Sequence, residues 1–221
     1  MILEIDSVEL SFDQKKILYG VYLKAETGKV TGILGRNGSG KTCLLRILFG
    51  DLNPKYKNIR IDGKYLKTKL FTTNSIAYLP QHKLLPGNLK VRKAFALFRV
   101  DWHDFIGQFD SFSSYADSKT SELSSGELRV VETYLILNSG KEIILLDEPF
   151  SFVAPTYVEK FKLMIQEKKK ESAILVTDHF YREILDLGDT IYLLKNGSSK
   201  FIQSKVDLEN EGYINFNLQQ R

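Results

Sequence analysis

Residues Gly35-Arg36-Asn37-Gly38-Ser39-Gly40-Lys41-Thr42 fit the spacing G-x-x-x-x-G-K-[ST]. These residue types suit the holding of a polyphosphate. Glycines let the backbone fold around the anion with its N–H groups pointing inward, and a following helix presents its positive dipole end to the same charge. Lys41 would reach the β- and γ-phosphates, and the Thr42 hydroxyl would ligate Mg²⁺. A second group, Ile143-Ile144-Leu145-Leu146-Asp147-Glu148, ends an apolar run in two carboxylates. Asp147 can hold the metal shell near Thr42, and Glu148 can orient or deprotonate an attacking water. Taken alone, that run is a buried strand ending in a turn before Pro149; beside the phosphate loop it points to metal-assisted phosphoryl chemistry. Gln81 and His179 are weaker pointers, because a lone His after a strand is usually a structural hydrogen-bonder.

The elements must gather these groups. Val30–Leu34 is an apolar strand running into the phosphate loop, and a helical pattern from Cys43 to Phe49 closes at Gly50. Ile76–Leu79, Ile143–Leu146, Ala173–Thr177 and Thr190–Leu194 are short, near-continuous apolar runs, and a helical segment covers 156–168. This pattern indicates parallel strands covered on both faces, with ligands held beyond their carboxyl ends. Gln81, Asp147 with Glu148, and Asp178 with His179 each follow such a run. Residues 2–31 alternate, with a polar break at Asp13–Lys16 and a turn at 27–29, and predict an antiparallel β layer; Asn58–Asp62 adds a short strand. From Leu89 to about Asn138 the pattern is helical and aromatic-rich, with Phe95, Phe98, Trp102, Phe105, Phe109 and Phe112 at helical spacing, a mark of core packing. Leu123-Ser124-Ser125-Gly126-Glu127 has the form of a capping box, a simple helix start that could also serve a γ-phosphate.

Composition sets the bounds. The chain has 221 residues, 43% hydrophobic and 26% charged, which suits a globular protein with a substantial core. Lys and Arg exceed Asp and Glu by 31 to 27, a mild basic balance that suits anionic partners but does not argue for nucleic acid. The one cysteine, Cys43, leaves no internal disulfide and favours a reducing compartment. The first residues carry acids where a signal peptide would carry Lys or Arg, and no run approaches 18 apolar residues, so any membrane role falls to another chain. Lys168–Lys170 reads as a solvated helix end.

Taken together, these segments resemble the ATP-binding cassette (ABC) ATPases over nearly the whole chain. GRNGSGKT is similar to their Walker A motif, and IILLDE to Walker B with a catalytic glutamate at Glu148. Leu123–Glu127 is similar to their LSGGQ signature, twenty residues before Walker B. Gln81, His179 and Phe12 fall where that family has its Q-loop glutamine, switch histidine and adenine-stacking aromatic. The resemblance implies an α/β fold: a P-loop NTPase (RecA-like) core with a parallel sheet, an N-terminal antiparallel β layer and a helical insertion. Residues 1–82 and 142–221 would form the core with its β layer, and 83–141 the insertion.

The same resemblance implies ATP and Mg²⁺ as cofactors. It assigns catalysis to Glu148, His179, Gln81 and Lys41. Nucleotide contacts would come from Phe12, Gly35, Asn37, Gly38, Ser39, Gly40, Lys41, Thr42 and Cys43, with Ser124, Ser125 and Gly126 completing the facing protomer's site. Thr42, Gln81 and Asp147 would hold the metal. Two cassettes would close head to tail on ATP, attached to the cytoplasmic face of a membrane through an integral permease subunit, with no nucleic acid involved. Two departures stand out: Ser125 replaces the first signature glycine, and Ala154 replaces an aspartate of the SALD segment. They favour, as an alternative, a nucleotide-gated module with weak hydrolysis. A soluble ABC ATPase acting on nucleic acid or the ribosome is a further alternative, though its relatives usually carry two cassettes or a coiled coil.

Overall fold

The computed structural model describes residues 1–214. In chain order the strands and helices are β1 (Ile2–Phe12), β2 (Lys15–Glu26), β3 (Val30–Leu34), α1 (Lys41–Phe49), β4 (Tyr56–Ile61), β5 (Lys64–Tyr65), β6 (Ile76–Leu79), α2 (Val91–Phe98), α3 (Trp102–Gln108), α4 (Ser125–Leu137), β7 (Ile143–Asp147), α5 (Pro155–Lys168), β8 (Ala173–Thr177), α6 (Tyr181–Leu187), β9 (Thr190–Lys195), β10 (Ser198–Ile202) and α7 (Lys205–Asn210). They form two sheets, one of order β2-β1-β4-β5 and one of order β10-β9-β3-β8-β7-β6.

The first sheet is antiparallel and follows from period-2 alternation that a bulge at Ser7, φ 54°, interrupts: Leu3 and Ile5, then Val8 and Leu10 of β1 face inward. In the second, β9, β3, β8, β7 and β6 run parallel and β10 pairs antiparallel at the edge. The parallel strands are covered on both faces, which explains their unbroken apolar runs. Ile143 and Leu145 of β7 join the cluster around Leu44, Leu48 and Leu23, whereas Ile144 and Leu146 join the cluster around Phe105, Tyr134 and Phe161. Helix α1 thus sits between the two sheets, and α4 and α5 cover the opposite face.

The aromatics at helical spacing do pack the core. Phe105 is fully buried, with its ring 4.8 to 5.5 Å from those of Phe95, Trp102, Phe109, Phe112 and Tyr134. Phe98 is only half-buried and lines a groove described below.

The boundaries differ from the sequence reading in informative places. Helix α1 begins at Lys41 rather than Cys43, because Gly40, at φ 101°, makes the left-handed entry that lets both Lys41 and Thr42 join the first turn. Strand β4 begins at Tyr56, ahead of the expected Asn58. Strand β10 was not anticipated, although Asn196-Gly197 at φ 50° and 77° is a tight-hairpin signal.

Candidate nucleotide-binding and hydrolysis site

The site lies along the carboxyl edge of the parallel sheet. The loop between β3 and α1 has Gly38 at φ 79° and Gly40 at φ 101°, conformations that a Cβ would strain. Gly35 is needed for another reason: a Cβ there would stand 2.4 Å from Ser39 Oγ and 2.7 Å from the Leu194 carbonyl oxygen. Lys41 is 6% exposed, and its ammonium donates across the loop to the Gly35 carbonyl at 2.7 Å. Burial pulls its pKa down, and the carboxylates of Glu148, Asp147 and Asp178 offset part of that. The phosphate loop and the acids of β7 and β8, far apart in sequence, therefore share one electrostatic field. Ser39 Oγ is buried in the loop without a hydrogen-bond partner. A buried orphan hydroxyl beside inward-folded glycines fits a polyphosphate, whose oxygens would satisfy it.

Asp147 is fully buried, and its two oxygens are held separately. One accepts from Thr177 Oγ1 at 2.7 Å, the other from the Tyr78 hydroxyl at 3.3 Å. Burial and the neighbouring Asp147 charge push the Tyr78 phenol far above its ordinary pKa, so it stays a donor. Glu148 adopts φ 55°, unusual for a residue with a side chain, while its N–H bonds the Thr177 carbonyl at 2.8 Å. Its carboxylate accepts from Ser151 Oγ at 3.3 Å and lies 3.7 Å from His179 Nδ1. That same nitrogen is 3.3 Å from Asp178, whose carboxyl is held above its usual pKa by burial. Glu148 and His179 are thus brought together.

The remaining expected residues are placed less tightly. Gln81 is exposed and makes no hydrogen bond among the described residues. Phe12 is half-exposed at the end of β1, available for stacking. Asn37 is exposed beside a cavity of about 680 Å³ that Lys15, Lys16, Arg36, Gly38 and Tyr213 also line. The Cys43 side chain packs against the core under α1, and burial raises its thiol pKa. Ser124 caps α4 by accepting from Glu127 N–H, while Glu127 accepts from Ser124 N–H, so the capping box is real. Ser125 is exposed, and no hydrogen bond among the described residues joins Ser124–Gly126 to the phosphate loop.

Sequence reasoning missed Arg129 and Glu132. Both are buried on α4, and their signal was available: two charges within the otherwise apolar run Leu128–Leu137.

A family profile described as "ABC transporter" matches residues 18–151. The chain belongs to this family. Curated relatives of the cassette include the arabinose import ATP-binding protein AraG of Mannheimia succiniciproducens, 30% identical over 93% of this chain, and the lipopolysaccharide export ATP-binding protein LptB of Haemophilus influenzae, 30% identical over 91%. The chain spans 44% of the former protein and 89% of the latter. The fold is shared with a solved ATP-binding subunit of an ABC transporter (TM-score 0.83, 19% identity, 96% of this chain and 94% of that one). A bacterial Atm1-family ABC exporter with ATP bound shares it too (TM-score 0.81, 22% identity, 95% of this chain and 40% of that one). The cassette is thus an ATP-binding protein of the ABC ATPase fold. Among the described residues no helix is long and apolar enough to cross a membrane.

Proposed function

We propose that the cassette binds Mg·ATP in the loop Gly35–Thr42 and hydrolyses it to drive an integral membrane subunit. The observation that carries this reading is the convergence of Lys41, Asp147, Glu148, Asp178 and His179 at one sheet edge. On binding, Lys41 would exchange the Gly35 carbonyl for the β- and γ-phosphates, and Ser39 would gain its missing partner. Among the described residues no three His, Cys, Asp or Glu side chains form a self-sufficient metal site; phosphate oxygens and waters would complete the shell. Thr42, Asp147 and Gln81 would hold that Mg²⁺, which when bound neutralises phosphate charge and aligns the leaving group.

Glu148 directs a water at the γ-phosphorus and takes its proton as the bond to the bridging oxygen breaks. His179, with Asp178 3.3 Å from its Nδ1, orients the same water and the γ-phosphate. Among the described residues Ser124, Ser125 and Gly126 make no hydrogen bond to their own chain's loop, which supports a head-to-tail dimer in which they close the partner cassette's site. The dimer would be identical or mixed. Phe12 stacks the adenine.

The membrane partner has a candidate seat, a groove of about 670 Å³ lined by Phe49, Leu84, Leu97, Phe98 and Ile136. Leu97 is 63% exposed there although apolar. A short helix from a permease would cover it, placing the cassette on the cytoplasmic face.

The test compares phosphate release by the wild type and by Glu148→Gln. Loss of the carboxylate should slow turnover about 10²- to 10⁴-fold and trap an ATP-bound dimer on a sizing column. Equal, near-zero rates in both, with the membrane partner present, would favour the gated module that Ser125 and Ala154 suggest.

A further inference from the structure

Arg129 lies one turn into α4, just after the helix start at Ser124–Gly126, and is 6% exposed. Its guanidinium donates to three backbone carbonyls on two other segments. Nη1 bonds the Pro80 carbonyl at 2.6 Å, Nη2 bonds the carbonyls of Asp147 and Glu148 (2.9 Å for Glu148), and Nε reaches that of Glu148 at 3.3 Å. Glu132, one turn on, stands 3.8 Å from Arg129 and accepts from Leu84 and Leu85 N–H at 2.7 and 2.9 Å.

Apart from Asp147, the last residue of β7, none of these backbone groups belongs to the sheet. The β6–β7 ladder ends at Leu79 and Leu146, and the β7–β8 ladder at Asp147 and Thr177. The carbonyls of Pro80 and Glu148 lie beyond it, with no strand to hold them. Glu148 also sits in the left-handed region, a conformation its surroundings must impose. Its N–H is fixed by Thr177 and its carbonyl by Arg129. Segment 80–85, with Gln81 inside it, is tied at both ends to α4: Pro80 by Arg129, and Leu84 and Leu85 by Glu132.

We propose that Arg129 is a positioning residue for ATP hydrolysis: by clamping the carbonyls of Pro80, Asp147 and Glu148 to α4, it sets where Gln81 and Glu148 present their side chains. The planar fork of an arginine holds acceptors on two segments in fixed directions, whereas a lysine ammonium is a compact charge with three donors on a flexible stem. Because the signature residues open the same helix, a ligand or partner that moves Ser124–Gly126 also moves the clamp. The catalytic consequence rests on the ATPase reading above; the clamp itself rests on geometry alone.

The test uses Arg129→Met combined with Glu132→Gln, which removes the guanidinium, leaves no unpaired buried carboxylate and keeps the acceptor for Leu84 and Leu85. Arg129→Lys is the conservative companion. Calorimetry gives the ATP Kd, phosphate release gives kcat and KM, and hydrogen exchange reports each backbone segment. The double variant should lose about 10- to 100-fold in kcat, the scale of a small misplacement of reacting groups, with Kd and KM within about threefold of wild type, and Arg129→Lys should fall between. Exchange should rise at 84–85 and 148–151, where bonded amides lie, while that of 36–42 is unchanged. A folded double variant with wild-type kcat, or one whose exchange rises equally at 36–42 with ATP affinity lost, overturns the proposal. If the wild type hydrolyses no ATP, the functional reading fails, and the exchange pattern still decides whether the clamp exists.

Discussion

Gly35→Ala offers the sharpest geometric trial of the phosphate loop. The new Cβ would sit 2.4 Å from Ser39 Oγ and 2.7 Å from the Leu194 carbonyl oxygen, whereas ordinary contact begins near 3.4 Å. The loop must therefore move by about 1 Å away from β9 or twist at Ser39, and overpacking of this kind costs about 1–3 kcal/mol. Carried into nucleotide binding, that is about a 5- to 150-fold weaker ATP Kd, at roughly 1.4 kcal/mol per decade. Gly38→Ala is the control, since a Cβ there meets nothing within 4 Å and only the φ of 79° is strained, for about 1–2 kcal/mol. Both variants should fold, and calorimetry with Mg·ATP reads the loss. Gly35→Ala binding ATP within twofold of wild type would refute the claim that this loop cradles the phosphates.

Three further outcomes follow from the same structure. Phe105→Ala removes the ring at the centre of five others and should cost about 3–5 kcal/mol, lowering Tm by about 6–20 °C with ATP affinity unchanged; an unaltered Tm would contradict the packing. Arg129→Met alone strands the Glu132 carboxylate, whose pKa burial already raises. Above that pKa the variant keeps a buried uncompensated charge worth about 3–5 kcal/mol, and as pH falls through it the carboxyl protonates and the deficit shrinks, so thermal unfolding should show a smaller loss at pH 5 than at pH 8. Leu97→Asp, which puts a charge on the apolar rim of the groove, should reduce recovery of the cassette with its membrane subunit from detergent extracts while leaving ATP affinity intact.

Much of the fold was legible because the parallel strands are buried on both faces, so the runs at Ile143–Leu146 and Ala173–Val176 carried no polar interruption. The phosphate loop was legible because its glycines and Lys41 sit at fixed spacing. Glu148 and His179 could be named from their places after strands, but not their approach to 3.7 Å, which depends on β7 and β8 being neighbours in the sheet. The roles of Tyr78 and Thr177 in holding Asp147 were hidden, since an apolar strand pattern does not say which hydroxyl faces which carboxylate. Arg129 escaped notice because its partners are carbonyls, and every residue has one. Strand β10 was missed because residues 198–202 are mostly exposed and polar, leaving only the Asn196-Gly197 turn as a sign.

The account rests on Lys41 and the acids of β7 serving one bound nucleotide. Titrating Mg·ATP into the purified cassette by calorimetry tests this most directly. A saturable heat that Lys41→Ala abolishes is the expected result; no heat in the wild type, or a heat untouched by that substitution, would contradict it.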